Sequence, residues 1–581
     1  MLSKTESLKQ AAPEQKFDSR YANRTLVLFA AFAIFVMYVE TMLTPSLSSI
    51  QTEFGVSYAQ VSLVLSAYLV SGAALSPIVG KLGDIYGKKK IFTIVLFIYA
   101  AAVTTSGFAP NFTFLVASRT VQGIGLTMFP LTFSLAREEF PRELIPRTQG
   151  ILSGMFGAGF AVGLPLGSYI SENFGWRTTY HTALPLAILF AVVITALVHE
   201  SKFRKPQAKV DYVGAGALGL SIGLIILALT QGSNWGWTST STLGLTLTGV
   251  LILPPLVLYE RRKSDPVLDL KLMRTRNVSI SNIVMLLTGL SLFLVYQIIV
   301  FQLELRSPVG YGFSIFATGL ALVPFAIIML IFSPGSALIS TRIGAKKVAG
   351  IGSVIAAISF ILATTATTST QLIEYVTLSA VGFALVMTAV QNLLVLTVDP
   401  REMGLATSMN TVFRLLGSAL GAPIAGSLMT TFTTTLAVGV VAGRPVFATV
   451  PSSTAFNYAF DIGAVIFIVG TIFVLLSREV LSRPPMGQTK AAVGSPGGPS
   501  PWRSTSVRAL FGVETVVIGF MSFWMVEEYQ NNVYLKSYLG QVVGSYGISA
   551  IFGLGLILLV SVVAVMRSRQ PKKLDHPLLI S

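Results

Sequence analysis

The stretch GKLGDIYGKKKI, Gly80 to Ile91, sets one aspartate and a run of lysines between two long apolar segments. Short cytoplasmic connections of membrane proteins collect Lys and Arg, and that bias accounts for Lys81 and for Lys88 to Lys90. It asks nothing of acidic residues, so Asp84 needs a reason of its own. Gly80, Gly83 and Gly87 flank it. Glycines let two helices approach closely, and a carboxylate in such a turn bonds the free amides of a helix N-terminus or pairs with an arginine of a neighbouring span. An ordinary turn with a capping aspartate is the simpler alternative.

Outward from this loop the chain is apolar almost throughout. Of its 581 residues 53% are hydrophobic and 11% charged, where soluble domains carry roughly a quarter charged. Such a chain belongs in a bilayer. A net charge of +16 suits a nucleic-acid partner in principle, but the basic residues fall in short clusters between apolar runs. We read them as a topology signal and expect no nucleic acid. Cysteine is absent, which excludes disulfides, thiolate metal sites and cysteine nucleophiles. His181, His199 and His576 offer no paired metal spacing. With no phosphate-binding glycine loop and no nucleophile set beside a base, an enzyme is the least favoured class and no cofactor is expected. Uphill movement of a solute must then draw on an ion gradient or on another chain. The first 24 residues are polar and of mixed charge, so the first apolar run reads as a retained anchor rather than a cleaved signal.

A crossing needs about 20 mostly apolar residues. Runs of that kind lie near 25–47, 60–80, 91–108, 112–135, 148–170, 178–198, 211–230, 241–259, 278–303, 314–338, 347–366, 372–397, 404–431 and 457–476, with two more near 509–526 and 548–566. The connections test this map. Lys4, Lys9, Lys16, Arg20 and Arg24 precede the first run, and alternate later connections carry Lys81 to Lys90, Arg137 to Arg147, Lys202 to Lys209, Arg261 to Arg276, Arg342 to Lys347, and Arg401. The others are acidic or neutral, as at Glu53, Glu172 and the tip QGSNWGWTST. Both termini are therefore expected in the cytoplasm and the protein in the cytoplasmic membrane. RPPMGQTKAAVGSPGGPSPWR, Arg483 to Arg503, has no periodic apolar face and reads as a flexible linker ahead of the last two runs. The sequon at Asn111 lies too near the membrane to be a favoured glycosylation site.

Specific patterns narrow the class. The opening loop resembles the G-x-L-x-D-x-x-G-K/R-K/R motif of the major facilitator superfamily, with Gly80, Leu82, Asp84, Gly87, Lys88 and Lys89 in place. ASRTVQGIGLTMFP resembles that superfamily's fourth-span motif R-x-x-Q-G-x-G, through Arg119, Gln122, Gly123 and Gly125. In the fifth span GAGFAVGLPLGSYI resembles the glycine and proline motif associated with exporters, at Gly159, Gly163, Pro165 and Gly167, although Leu164 separates the usual Gly-Pro pair. GYGFSIFATGLALVPFAIIMLIFSPG and MGLATSMNTVFRLLGSALGAPIAG resemble the tenth and thirteenth spans of the fourteen-span drug:proton antiporter subfamily, the latter at Gly404, Asn410, Arg414, Gly417 and Gly421. The resemblance covers roughly residues 25 to 476.

It implies an all-α integral membrane protein: a cytoplasmic segment at 1–24, a six-helix bundle at 25–198, two linker spans with their connections at 199–276 and a second six-helix bundle at 277–482. A linker at 483–508, an accessory two-helix hairpin at 509–567 and a tail at 568–581 follow. ALISTRIGAKK is a degenerate copy of the opening loop in the second half, with Thr341 in the aspartate's place, and repeats of this kind let transporters open alternately to either side. In this superfamily the aspartate helps latch the two bundles on the cytoplasmic face. The resemblance thus assigns Gly80, Asp84, Gly87, Lys88 and Lys89 to a latch, and the copy, lacking a carboxylate, latches less firmly or not at all.

An ionised side chain in hydrocarbon costs at least about 2.5 to 3.5 kcal/mol on insertion scales, so buried charge is informative. Glu40 stands 16 residues after Arg24 in the first run, well past the midplane toward the outside at about 1.5 Å per residue. It is either a glutamate snorkelling to the outer interface or a proton-coupling site whose charged form burial disfavours. The family carries an acidic residue in this neighbourhood, one position before Glu40 in its commonest form. Arg119 and Arg414 are the matching buried cations of the two halves. Gln122, Asn282, Tyr296, Gln297, Gln391 and Asn410 are candidates to line a cavity, and Glu304 with Arg306 forms a gate pair or an interfacial pair at the outer end of the ninth run. The leading expectation is a monomeric, proton-coupled exporter of small amphipathic or lipophilic compounds, driven by the proton gradient, its partners being substrate, protons and lipid. An uptake carrier of the same superfamily and a non-transporting receptor or assembly factor are the rivals.

Overall fold

A computed structural model of the chain describes residues 19–479 except 141–144, 202–203, 205–206, 208, 264–265, 400–401 and 442–443. The linker, the accessory hairpin and the tail expected after Arg483 lie outside the described residues, as do the first 18.

The first half opens with α1 (Ser19–Thr41), a break through Thr44–Ser46, α2 (Leu47–Phe54) and α3 (Tyr58–Val61). Then come α4 (Leu63–Tyr86), α5 (Lys88–Gly107), α6 (Phe112–Gln122), a tight turn of helix at Gly123–Thr127, α7 (Met128–Glu139), α8 (Ile145–Phe174) and α9 (Trp176–Leu197). Two interposed helices follow, α10 (Tyr212–Trp235) and α11 (Thr240–Glu260). The second half holds α12 (Leu270–Met273), α13 (Arg276–Glu304), α14 (Ile315–Ala321), α15 (Val323–Ile343), α16 (Ala345–Thr364), α17 (Ser369–Thr397), α18 (Met403–Thr431) and α19 (Ser453–Leu476). Among the described residues, 12 helical segments are long and apolar enough to cross a membrane. The two remaining expected crossings fall on α6–α7, which the turn at Gly123 interrupts, and on α8, a 30-residue helix containing Pro165.

Capping residues explain where helices begin. Asn111, Asp211, Ser239, Ser314 and Thr368 each accept a backbone amide from the first turn of α6, α10, α11, α14 and α17, satisfying donors that have no partner inside the helix. Asn111 of the sequon thus serves as a cap, its Oδ1 receiving the Phe114 amide at 2.8 Å.

The all-α expectation holds for the crossings, but one connection departs from it. β1 (Thr433–Val441) and β2 (Arg444–Pro451) form an antiparallel hairpin between α18 and α19, pairing Thr433 with Pro451 and Thr435 with Thr449. The local sequence is rich in Thr and Val, which favour strands.

Within the first half α1 packs on α8 and α5 on α9, and within the second α13 packs on α18 and α16 on α17 and α19. Buried phenylalanines fill each half: Phe32 meets Phe92 and Phe383 meets Phe467, both at 5.0 Å between ring centres. The halves meet along α4–α18 and along α8 against α14 and α15. Helix α10 packs on α4, α18 and α11, and Ser427 of α18 bonds the Leu229 carbonyl at 2.6 Å.

The internal duplication shows in one detail. Gly87 and Gly344 cap the starts of α5 and α16 with φ of 112° and 101°, a backbone region open to glycine. Each is met by a carboxylate from the end of its own half. Glu200, just after α9, accepts the Lys89 and Lys90 amides, both at 3.0 Å, and Glu479, just after α19, accepts the Lys346 amide at 3.1 Å.

Candidate functional site

Glu40 sits at the break in the first crossing. That crossing runs from Ser19 to Phe54, so Glu40 lies past its middle but far from either end, and only 4% of it is exposed. The snorkelling alternative is therefore wrong, because the crossing extends on through α2 and keeps Glu40 deep inside. Its carboxylate faces Arg119 of α6, Oε2 to Nη1, at 3.9 Å.

Arg119 is fully buried. Its Nε donates to the Val64 carbonyl at 2.9 Å, and its guanidinium lies 4.2 Å from the centre of the Tyr68 ring. Tyr99 and Tyr180 complete the surroundings: both are buried and both lie within electrostatic reach of Arg119 and Glu40. Gln122, one helical turn from Arg119, is fully buried and faces Tyr99. Among the described residues no hydrogen bond of ordinary length reaches either Glu40 oxygen or Nη1 and Nη2 of Arg119. A carboxylate so placed has two ways to relieve the cost of burial: pairing with Arg119, or taking up a proton.

Glycines explain how these groups come so close. A Cβ on Gly123 would lie 2.9 Å from the Tyr68 carbonyl carbon, and one on Gly125 would lie 3.2 Å from Tyr99 Cζ, so the Q-G-x-G pattern lets the fourth crossing lie against both tyrosine-bearing helices. On α8, Gly159, Gly163 and Gly167 share one face, and added Cβ atoms there would meet Met37, Tyr38 with Thr41, and Met42. The exporter-type motif around Pro165 is thus the seat of the broken part of the first crossing, directly beside Glu40.

The second half contributes less than expected. Asn410 and Asn282 are buried and bond each other at 3.0 Å, Nδ2 of Asn410 to Oδ1 of Asn282. They join α18 to α13 rather than line a cavity. Gln391 is exposed. Gln297 is fully buried with both amide atoms unpartnered, and Tyr296 packs 6.1 Å from Phe160 of α8 across the seam between the halves. Arg414 is half-buried, not the match of Arg119 in burial, and among the described residues it has no ion-pair partner. It lies within electrostatic reach of Tyr68, the residue that also faces Arg119.

The opening loop needs a second correction. Asp84 Oδ1 lies 3.6 Å from Lys88 in the next turn, and Lys88, itself buried, is 2.5 Å from Glu138 of α7. Gly80 borders open space, and Lys89 gives its amide to Glu200. The carboxylate that bonds the helix N-terminus is therefore Glu200 and not Asp84. In the copy, where Thr341 stands in the aspartate's place, Glu479 has the role that Glu200 has in the first half. The side chain of Thr341 lies outside the described residues.

At the opposite end a cavity of about 400 Å³ is lined by Ser48, Tyr58, Glu172, Phe301, Glu304 and Phe313, among others. Ser48 of the first half donates to Glu304 of the second. Glu172 of the first half accepts the Phe316 amide of the second at 2.6 Å. Glu304 is therefore bound across the seam, while Arg306 is exposed.

Comparison with known proteins agrees with this architecture. The profile of the Major Facilitator Superfamily matches residues 29–422 and again 311–574. The multidrug transporter protein MdtP of Bacillus subtilis is 24% identical over 417 residues, covering 70% of this chain and 77% of that protein. Multidrug resistance protein 3 of the same organism is 27% identical over 403 residues, covering 67% and 76%. Among solved structures, the human organic anion transporter MFSD10 superposes with a TM-score of 0.53 at 14% identity, covering 78% of this chain and 99% of that one. A bacterial homologue of the human lysosomal transporter Spinster, inward-facing and unoccupied, gives 0.54 at 14% identity, covering 79% and 95%. Two bundles of crossings that meet along two seams, an arginine and a glutamate buried together in the first of them, and a family profile that spans most of the chain lead to one conclusion: the protein is a membrane transporter of the Major Facilitator Superfamily, not an enzyme.

Proposed function

We propose that the protein is a proton-coupled exporter of small amphipathic or lipophilic compounds, of the fourteen-crossing drug:proton antiporter type, in the cytoplasmic membrane with its lysine-rich face inward. The observation that carries this is the Glu40–Arg119 pair at 3.9 Å, buried at a helix break and seated on the glycine face of α8. Ionised, Glu40 holds Arg119 to itself. Protonated, it releases Arg119, which remains held by the Val64 carbonyl and the Tyr68 ring. A proton thus switches the pair between two arrangements, as proton coupling requires. The break at Thr44–Ser46 lies four residues beyond Glu40, and α1 packs closely on α8 beside it. Two relatives named as multidrug proteins support the substrate class.

The test is transport in proteoliposomes under an imposed pH gradient of either sign, with a cationic dye and a small panel of metabolites. Extrusion of the dye driven by inward proton flow is expected. Metabolite accumulation that runs with the proton instead of against it would establish the uptake carrier, and no movement with either gradient would count against proton-driven export.

A further inference from the structure

Away from that pair, the lysine-rich end of the interposed hairpin holds two more buried acids. Asp211 caps α10 and Glu260 ends α11, with 9% and 3% of their surface exposed. One oxygen of each is well served. Asp211 Oδ1 accepts the Gly214 amide at 2.9 Å and the Tyr259 hydroxyl at 3.1 Å. Glu260 Oε2 accepts the Val267 amide at 2.9 Å, and the Leu268 amide also reaches this carboxylate.

The other two oxygens, Asp211 Oδ2 and Glu260 Oε1, are buried and have no partner. They converge on one spot. A Cβ built on Gly214 would lie 2.6 Å from the first and 2.5 Å from the second, and glycine leaves that spot empty of side chain. The other titratable groups that face the pair are Tyr259, already bonded to Asp211, and Lys263, exposed and 4.6 Å from the centre of the Tyr259 ring. Neither supplies a donor to the two open oxygens.

Two acceptor-only oxygens facing one small space out of water are unfavourable while both acids are ionised. A single proton removes both defects, because one carboxyl then donates to the other and each oxygen gains a partner. We propose that Asp211 and Glu260 form a proton-binding site, in which one proton shared between Oδ2 and Oε1 clasps the two ends of the α10–α11 hairpin and the connector at 266–269. The proton comes from solvent on the lysine-rich face and returns there, and the occupied pair carries one negative charge. The proton that Glu260 holds in the native protein is released by the unfolded chain, so stability falls as pH rises through the titration of that carboxyl. The site is distinct from Glu40 and works whether or not Glu40 couples transport.

The full-length protein in nanodiscs is the sample, carrying Glu40→Gln and Glu304→Gln so that these two buried carboxyls contribute nothing. Infrared difference spectra across pH should show a protonated-carboxyl band at neutral pH that disappears on alkalinisation and is lost in both Glu260→Gln and Asp211→Asn. Thermal unfolding should move down with rising pH in the parent, and the slope should flatten in Glu260→Gln, whose amide donates at every pH. Two results overturn the proposal: a band that persists in both substituted proteins, or an unfolding temperature raised by Na⁺ or Mg²⁺ at fixed pH in the parent alone, which would put a metal cation between the oxygens.

Discussion

Replacing Glu40 with Gln tests the proposed coupling most directly, and its cost can be worked from the structure. At 3.9 Å the attraction between Glu40 and Arg119 amounts to about 4 kcal/mol at an effective dielectric of about 20. Glutamine keeps the size and presents a carbonyl oxygen to the guanidinium, and a hydrogen bond to a charged group returns about 1.5–3 kcal/mol. The net loss of stability is on the order of 2 kcal/mol. Glu40→Ala leaves Arg119 buried without a counter-charge and costs about 3–5 kcal/mol. The expected order of unfolding temperature in detergent is therefore wild type, then Gln, then Ala. Function should separate differently. The amide cannot titrate, so Glu40→Gln loses uphill, proton-driven extrusion while retaining downhill exchange of labelled substrate across proteoliposomes. Uphill transport by the Gln protein at the wild-type rate would refute the assignment, whatever the stability series shows.

At the starts of α5 and α16, Glu200→Ala and Glu479→Ala should each destabilise the protein more than Asp84→Asn, since they remove charged acceptors of helix-start amides worth about 1.5–3 kcal/mol apiece; thermal unfolding checks the order, and an Asp84→Asn loss as large as the other two would restore Asp84 as the main carboxylate of that turn. On α8, Gly163→Ala should impair transport and stability by about 1–3 kcal/mol through overpacking against Thr41 and the Tyr38 backbone, whereas Gly216→Ala, which meets nothing within 4 Å, should be close to neutral in both assays. A chain ended after Arg483 should insert, give a monodisperse peak in detergent and transport; a truncated protein that is well folded but inactive would place the last two runs in the working machine.

The crossings are legible in the sequence because length, apolarity and alternating lysine clusters act over twenty residues at a time. The R-x-x-Q-G-x-G and exporter-type glycines are legible too, and the structure gives them a shared physical reason, namely close helix approach around Glu40 and Arg119. What is hidden depends on distance in space. Tyr68, Tyr99 and Tyr180 sit in apolar runs where a cavity tyrosine and a lipid-facing one look alike, and only the fold brings them to Arg119. Glu200 is 111 residues from the amide it holds. Spacing within the opening loop therefore points to Asp84, the local acid, although Glu200 and Glu479 stand at equivalent places after α9 and α19 and are recognisable once the duplication is taken to the ends of both halves. The depth of Glu40 is misjudged because the break at Thr44–Ser46 hides the continuation of the crossing into α2. The hairpin at 433–451 escapes notice because the apolar runs on either side dominate the pattern.

The end-clamps at Glu200 and Glu479 bear on how the molecule deforms. A carboxylate that holds the first amides of another crossing pins the end of the last crossing in a half to the start of the third. Those two crossings cannot slide lengthwise past each other without breaking charged hydrogen bonds. Each half is stiffened in this way at the same end, and compliance is left to the contacts between halves, α4 on α18 and α8 on α14 and α15. Helix α10 rests on both α4 and α18 and so bridges one of these seams like a strap over a joint. Any opening at that joint must carry α10 bodily with one side or shear it off the other, which makes the strap's grip on α4 and on α18 a setting for how far the joint can swing.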